Sequence, residues 1–473
     1  MSKFYITTSI AYANASPHIG FALESVQADV LARHHRQNGD EVFFLTGTDE
    51  HGAKIYKVSQ KFGKNPQEFV DGISDEFKKL KQTLNLSWDD FIRTTDRGRH
   101  YPAVAKIWEK LAGKNLIEKR KFEGLYCVGC EAFKLPKDLI DGKCPEHLAE
   151  PEKITEENYF FKLSLFEQDI KNKIESDEIK IIPKTRKNEI LSFLNQGLED
   201  ISVSRSKEKL PWGISVPGDE SQVVYVWIDA LTNYISALGY GTDNKNMRFW
   251  PADAHCVGKD ILRFHAVIWP AILMAAELPL PKNIFVHGYI TSGGQKMSKS
   301  IGNVISPKDL VDKYGADAVR YFLLREIPST EDGDFTEEKF IARYNGDLAN
   351  GLGNFAARVL TLAAKLGEVE PPREIQPPYI EKAVKEAEKK ISEFKFNEAL
   401  AAIWELISFG DNYVNQEKPW ENMESKKEVI SNLVQIVKTV AEQLSPFLPE
   451  TSEKIINAIK ENKKPENLFP RVK

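Results

Sequence analysis

An α/β fold is predicted: a parallel sheet that a loop-rich insertion interrupts and a purely helical segment follows. Three observations point to it. Strand and helix patterns alternate over residues 1–113 and strands resume over 224–288. A cysteine- and histidine-bearing stretch, residues 114–223, breaks that alternation. From residue 347 to 473 the apolar spacing is helical throughout, the pattern of a helix bundle.

The elements follow in order. Phe4-Tyr5-Ile6-Thr7-Thr8 is an apolar run of the kind buried on both faces of a sheet, and Ile19, Leu23, Val26 and Val30 then recur at helical spacing up to Asn38. Glu41 to Thr46 reads as a second strand that ends at Asp49. A strand, a helix and a strand in that rhythm give a parallel sheet with ligands at the carboxyl ends of its strands. The insertion holds Pro/Gly-containing loops and a charged helical segment. Strands are expected again at Val223 to Ile228, His255 to Val257 and Ile284 to His287, with Cys256 a core residue. Residues 289–346 carry a Gly-flanked lysine loop. In the tail, Glu368 to Pro378 reads as a linker broken at Pro371-Pro372 and Pro377-Pro378, and the charged end, Glu461 to Lys473, is expected to be loosely held.

Composition narrows the class. The 473 residues, 42% hydrophobic and 28% charged, describe a globular chain of several domains. The longest apolar stretch, Ala266 to Ala276, contains Pro270 and is far short of the roughly 20 residues that span a bilayer. Phe4 enters the first strand at once, which leaves no room for a signal peptide and predicts a cytoplasmic location. A net charge of −5 still allows a local basic track for nucleic acid, with candidates at Lys119-Arg120-Lys121, Lys184 to Lys187 and Arg205 to Lys209.

Cys127-Val128-Gly129-Cys130 and Cys144-Pro145-Glu146-His147 form two matched x2 spacings separated by residues 131–143. Three thiolates and one imidazole satisfy tetrahedral zinc and leave no open position, so the site is structural. A disulfide suits a cytoplasmic chain poorly, and an iron–sulfur cluster usually takes four thiolates.

Two further motifs point to phosphate chemistry. Lys296-Met297-Ser298-Lys299-Ser300 lies between Gly293-Gly294 and Gly302, and two lysines on such a loop can close on a polyphosphate whose charge is developing. Upstream, Pro17-His18-Ile19-Gly20-Phe21 sits at a strand-to-helix junction. There unpaired backbone N–H groups and the helix dipole favour anions. His18 can donate to a phosphate oxygen, and Gly20 removes a side chain that would block approach.

Together the two motifs resemble the paired signatures of class I aminoacyl-tRNA synthetases. Tyr12-Ala13-Asn14, Gly47-Thr48-Asp49-Glu50-His51-Gly52, Val226-Trp227-Ile228-Asp229-Ala230, Gly258-Lys259-Asp260, Phe264-His265 and Lys418-Pro419-Trp420 narrow the resemblance to the methionyl-tRNA synthetase family, in the family's order from residue 3 to about 460. The resemblance implies a Rossmann-type catalytic domain split by a zinc-containing connecting insertion, a stem-contact region after the lysine loop, and a helical anticodon-binding domain. It implies activation of L-methionine with ATP to methionyl-adenylate and pyrophosphate, then transfer to the terminal adenosine of tRNA(Met). His18, Lys296 and Lys299 would act on the phosphates together with Mg2+, and Gly20, Gly258, Asp260 and Ser298 would complete ATP binding. Asp49 would pair with the substrate's ammonium group. Ile10, Tyr12, Trp227, Ala230, Leu231, Tyr234, Phe264, His265 and Ile268 would surround the methionine side chain. Asn350, Asn354 and Arg358, spaced by four, with Trp420 would read the CAU anticodon.

Two positions depart from the pattern. Phe21 stands where the family's first signature ends in a second histidine, and Leu231 where some relatives have proline. Helix capping is the alternative for Asp49 and Asp260. Other readings of the chain are a synthetase for another amino acid, a non-catalytic tRNA-binding relative and a small-molecule nucleotidylyltransferase. The large editing synthetases need an insertion for which there is no room, and a small-molecule enzyme would not need the helical tail. A monomer is expected, without membrane association.

Overall fold

A computed structural model describes residues 2–127, 132–134, 139–145, 148–297, 302–367 and 378–472. The chain divides into two compact units, one of residues 1–17, 40–79 and 88–286 and the other of residues 18–39, 80–87 and 287–473.

The first unit is built on a sheet whose central strand, Lys3–Thr8, runs parallel to Glu41–Asp49 on one side and Ala254–Gly258 on the other. Short strands at Ala11–Tyr12 and Asp90–Arg93 run parallel to Glu41–Asp49, and Asn283–His287 runs parallel to Lys180–Ile182. The expected second strand is thus longer than Glu41 to Thr46, and it does reach Asp49. Tyr5, Ile6, Phe44, Leu45, Cys256 and Val257 are buried, as strands covered on both faces require.

The run Val223 to Ile228 does not complete this sheet. It begins at the end of the strand Asp219–Val224, which pairs antiparallel with Ser204–Ser206 and Ser215–Val216, and the helix Val226–Ser236 starts two residues later. Its apolar β-branched residues suit either state, and burial of Ile228, Leu231 and Ile235 along one helix face decides it. Conversely, Lys180–Ile182 belongs to the main sheet although it lies inside the predicted insertion. The insertion also holds the helices Glu167–Glu175 and Lys184–Leu194 and a second sheet, in which Ile117–Cys127 pairs antiparallel with Glu152–Phe161 along ten residue pairs.

In the second unit, Ile19–Gln37 packs on Ala316–Arg325, and a run of helices includes Glu337–Arg343, Asn354–Leu366, Pro378–Ser392, Phe396–Glu417, Lys427–Leu444 and Pro449–Lys460. Tyr344–Gly353 is a π-helix. The proline-containing linker at 368–377 lies outside the described residues. The charged end is not loose through residue 472. Phe469 is buried edge-on against Tyr344, and Val472 exchanges two hydrogen bonds with the Asn345 side chain at 2.9 and 3.1 Å.

Candidate active site

The carboxyl ends of the first unit's strands carry Tyr12 and Asp49, two of the candidate pocket residues. Tyr12 and Asp49 are direct register partners, and Ala13 N–H donates to Asp49 O at 2.8 Å. Asp49 is buried, and the helix beginning at Ala53 takes Gly52 as its N-cap. Asp49 is therefore not that helix's cap. Gly47 is required by close approach, since a Cβ there would lie 2.1 Å from Ile92 O and 3.0 Å from Ile10 Cγ2.

Opposite walls come from two helical segments of the same unit. Trp227 and Phe264 stack with ring centroids 3.3 Å apart and 10° between planes. Ala230 is buried in a cluster with Tyr126 and Tyr225, against which Ile10 and Trp227 pack, and Leu231 lies in the main core. Phe264–Ile268 is a π-helix, a turn wide enough to change which side chains share a face.

Hydrogen bonding fixes the pocket's protons. His265 Nδ1 lies 2.9 Å from Ile261 O and must donate, so Nε2 accepts the Tyr234 hydroxyl at 2.7 Å. Burial holds His265 down at about 4, which makes its imidazole neutral near pH 7. His255, ring-packed on Tyr234 at 4.3 Å, is likewise pushed well below the usual range by burial. This end of the pocket is polar without formal charge, a setting for a polarisable apolar side chain such as a thioether.

Asp260 follows the strand Ala254–Gly258 in a 3₁₀ turn whose N-cap is Gly258. Asp260 is exposed, in the first turn rather than at the cap.

In the second unit His18 is the N-cap of Ile19–Gln37. Its Nδ1 accepts from Gly20 N–H at 3.0 Å, which leaves Nε2 as the N–H donor. A Cβ on Gly20 would meet His18 Cε1 at 2.9 Å. The glycine thus seats the imidazole as well as clearing space. Phe21 occupies the helix's third position and is half-buried. Lys296 ends a hairpin turned by Gly293 and Gly294, both at positive φ, with Gly294 N–H bound by Asp334 at 2.7 Å. Its Nζ lies 5.8 Å from the Tyr289 ring centroid. Ser298 and Lys299 lie outside the described residues.

Cys127 closes its strand, and Cys144 sits in a turn that accepts from Leu148 N–H at 2.7 Å and donates to Ala149 O at 2.9 Å. Both are buried. Cys130 and His147 lie outside the described residues, and among the described residues no group of three or more His, Cys, Asp or Glu is placed to hold a metal ion.

In the helical segment, Arg358 donates to Asp411 at 2.6 Å and to Asn415 at 2.7 Å, and Asn350 accepts from Arg471 at 2.9 Å. Asn354 is exposed, and Trp420 is 49% exposed. Of the basic-track candidates, Lys119 is paired with Asp219 and Lys187 with Asp177. Arg205 is no surface residue: it is buried, bidentate to Glu156 at 2.9 and 3.0 Å and 4.3 Å from the Tyr126 ring centroid.

One network joins residues that nothing in the sequence connects to one another. Asp229 is fully buried, with Oδ2 2.7 Å from His51 Nδ1 and Oδ1 2.8 Å from His100 Nε2, and His100 Nδ1 lies 2.9 Å from Ser236 Oγ. It ties the turn after Asp49 to the helix that carries Trp227, Ala230, Leu231 and Tyr234. Glu50, between Asp49 and His51, is also buried and bound to Arg93 at 2.7 and 2.9 Å.

Two family models cover the chain. That of the class I tRNA synthetases (M) matches residues 4–152 and 148–360, and that of the anticodon-binding domain of tRNA ligase matches 379–470. The pairing defines an aminoacyl-tRNA synthetase of class I. Methionine–tRNA ligase of Caldanaerobacter subterraneus subsp. tengcongensis is 45% identical over 96% of this chain and 74% of its own length. That of Brucella suis is 41% identical over 97% and 92%. A solved structure of Mycobacterium tuberculosis methionyl-tRNA synthetase in complex with methionyl-adenylate superposes with a TM-score of 0.90 at 35% identity, covering 100% of this chain and 99% of that one. The chain belongs to the methionyl-tRNA synthetase family.

Proposed function

We propose that the chain activates L-methionine with ATP, releasing pyrophosphate, and then esterifies the methionyl group to the 3′-terminal adenosine of tRNA(Met). The observation that carries this reading is the hydrogen-bonded Tyr234–His265 pair together with the stack of Trp227 on Phe264, in a chain of the methionyl-tRNA synthetase family. The relative that holds methionyl-adenylate supports it at 35% identity.

The methionine carboxylate is already ionised and is itself the nucleophile, so catalysis is positioning and charge stabilisation. Asp49 pairs with the ammonium group, and Ile10, Tyr12, Ala230, Leu231 and Ile268 complete the side-chain pocket. His18 donates from Nε2 to a phosphate oxygen, Lys296 and Lys299 neutralise the charge that develops on pyrophosphate, Gly20 clears space for close approach, and Ser298 belongs to the ATP-binding set. Asp260 accepts from the ribose hydroxyls after Gly258. Mg2+ arrives with ATP. Phe21 supplies no hydrogen bond where the family has histidine; the loss of one to a charged group costs about 1.5–3 kcal/mol, enough to slow the reaction without abolishing it.

Residues 114–223, apart from the strand Lys180–Ile182 that joins the main sheet, serve as the connecting insertion between the catalytic halves 1–113 and 224–288. Residues 289–346 contact the tRNA stem, and 347–473 bind the anticodon through Asn350, Asn354, Arg358 and Trp420. For Asn350 and Arg358 this requires exchange of Arg471, Asp411 and Asn415 for base edges. No helix among the described residues is long and apolar enough to cross a membrane, and we place the chain in the cytoplasm as a monomer.

Methionine-dependent exchange of labelled pyrophosphate into ATP tests this reading. Exchange is expected with methionine and not with leucine, isoleucine, valine or cysteine, and Lys299→Ala should reduce it at least a hundredfold, about 2.7 kcal/mol of transition-state stabilisation. Exchange with none of them would overturn the reading.

Cys127 and Cys144, both buried, fit a thiolate donor set that Cys130 and His147 complete, and bound zinc would cross-link the insertion's turns without entering the reaction. One zinc per chain is expected by metal analysis. Cys144→Ala should lose it and lower the melting temperature, while methionine activation persists at permissive temperature.

A further inference from the structure

The helix Ala53–Lys61 starts four residues after Asp49. Residues 53–65 contain Lys54, Lys57, Lys61 and Lys64 and no acidic residue. Lys54, Lys57 and Lys61 fall at i, i+3 and i+7, one face of the helix. Lys54 Nζ lies 5.8 Å from the ring centroid of Tyr12, the pocket residue beside Asp49. Lys57 meets Glu152 only at 3.8 Å, with both side chains more than half exposed at 55% and 60%. Lys61 and Lys64 are exposed.

An aromatic ring stands where this stripe ends. Phe62 is 69% exposed, among the most exposed large apolar side chains described. One exposed apolar residue is ordinary, but this ring is held in place: it stacks on Phe69 at 5.9 Å and 17°. Phe69 is buried with Ala13, Ile55 and Val70, the cluster against which Tyr12 packs. The surface ring and the pocket wall therefore share one packed support, joined by a helix about 14 Å long.

A row of lysines running from a catalytic pocket to a rigid exposed aromatic matches the chemistry of a single-stranded nucleic acid, with phosphates along the charges and one base on the ring. We propose that this face of Ala53–Lys61 is the track along which the single-stranded 3′ end of tRNA approaches the pocket, with Phe62 stacking on one of its bases. The proposal rests on the reading above that tRNA is the second substrate.

The test compares wild type with Phe62→Ala, Phe62→Trp and the triple variant Lys57→Gln/Lys61→Gln/Lys64→Gln. Pyrophosphate exchange without tRNA should be unchanged in all of them; its absence in the wild type would instead overturn the functional reading. Phe62→Ala should raise the tRNA KM about tenfold in aminoacylation, and Phe62→Trp should not, because stacking tolerates any ring. The triple variant should flatten the dependence of log KM on log salt by about 2, the share of three single-strand phosphate contacts. A 2-aminopurine placed in the 3′ single strand should be quenched by wild type and less by Phe62→Ala. A tRNA KM within twofold of wild type for Phe62→Ala, or an equal loss of affinity for tRNA trimmed of its single-stranded end, would overturn the proposal.

Discussion

Asp229→Ala is expected to lower unfolding stability by about 2–6 kcal/mol, the cost of leaving two buried imidazole N–H donors without an acceptor. Asp229, His51 and His100 are all at most 2% exposed. The carboxylate accepts from both rings, so the variant leaves two imidazole N–H groups in a site that water does not reach. Burial pushes the Asp229 carboxyl up, and His51 and His100 more than offset this, holding it below its ordinary 3.8. A depressed carboxyl contributes stability that is fully present above the unfolded pKa and is lost as pH falls through the folded one. The wild type should therefore lose this contribution below about pH 4, and the variant should lack that part of the acid slope. Because the network joins the turn after Asp49 to Val226–Ser236, residual folded Asp229→Ala should also show a raised methionine KM. Asp229→Asn should fall between, since its amide can accept from one ring but presents a donor to the other. Denaturant unfolding between pH 3 and 8 checks both points. A loss under 1 kcal/mol for the alanine variant would show that the network does not hold the site.

Why this network is silent in the sequence is a matter of separation. Asp229 meets residues 178 and 129 positions away, and neither histidine lies in a pattern with Asp229 that periodicity could reveal. The elements that were legible are those whose cause is local. Lys3–Thr8 is a continuous apolar run, Ile19–Gln37 has its buried residues at helical spacing, and His18 and Gly20 are set by a cap whose geometry lies within three residues. Where local preference was ambiguous the reading failed. Val223 to Tyr225 are strand formers that lead straight into a helix whose N-cap, Tyr225, offers no side-chain hydrogen bond. The charged end from Glu461 reads as solvated, yet Phe469 supplies the anchor that composition averages away.

The site shows the same division. Asp49, Trp227 and Phe264 are site candidates only because whole motifs resemble a family; as single residues, a buried Asp and two aromatics are indistinguishable from core. The structure adds what no motif carries, namely the direction of the Tyr234 hydroxyl proton, the neutrality of His265 and the stacking of Trp227 on Phe264. It also changes the standing of Arg205. A basic cluster in sequence suggests a solvated surface, but a bidentate bond to Glu156 and the Tyr126 ring beneath it make this residue part of the interior.

Arg320→Met should cost a comparable 3–5 kcal/mol and should act on the other compact unit. Arg320 is fully buried on Ala316–Arg325. Its guanidinium pairs with Asp29 at 2.7 Å and donates to Phe447 O at 2.7 Å, Pro446 O at 2.8 Å and Leu84 O at 3.1 Å. These partners come from the helix that His18 caps, from residues 80–87 and from the turn between the last two long helices. One planar donor thus fixes three segments that hydrophobic packing alone could let slide. Methionine keeps much of the volume but satisfies none of the carbonyls and leaves Asp29 with Arg33 as its remaining cation. Burial pushes the Asp29 carboxyl up, and Arg320 and Arg33 bring it below 3.8; without Arg320 it should rise toward its unfolded value, so the variant should lose part of the acid slope and its stability gap to wild type should narrow as pH falls below about 4. Arg320→Lys should rescue little, because a single ammonium cannot reach the carbonyls and the carboxylate in the fork geometry. Thermal unfolding followed by circular dichroism from pH 3 to 8 decides it: a stability gap between wild type and Arg320→Met that stays constant from pH 8 to pH 3 would mean that Asp29 does not depend on this arginine.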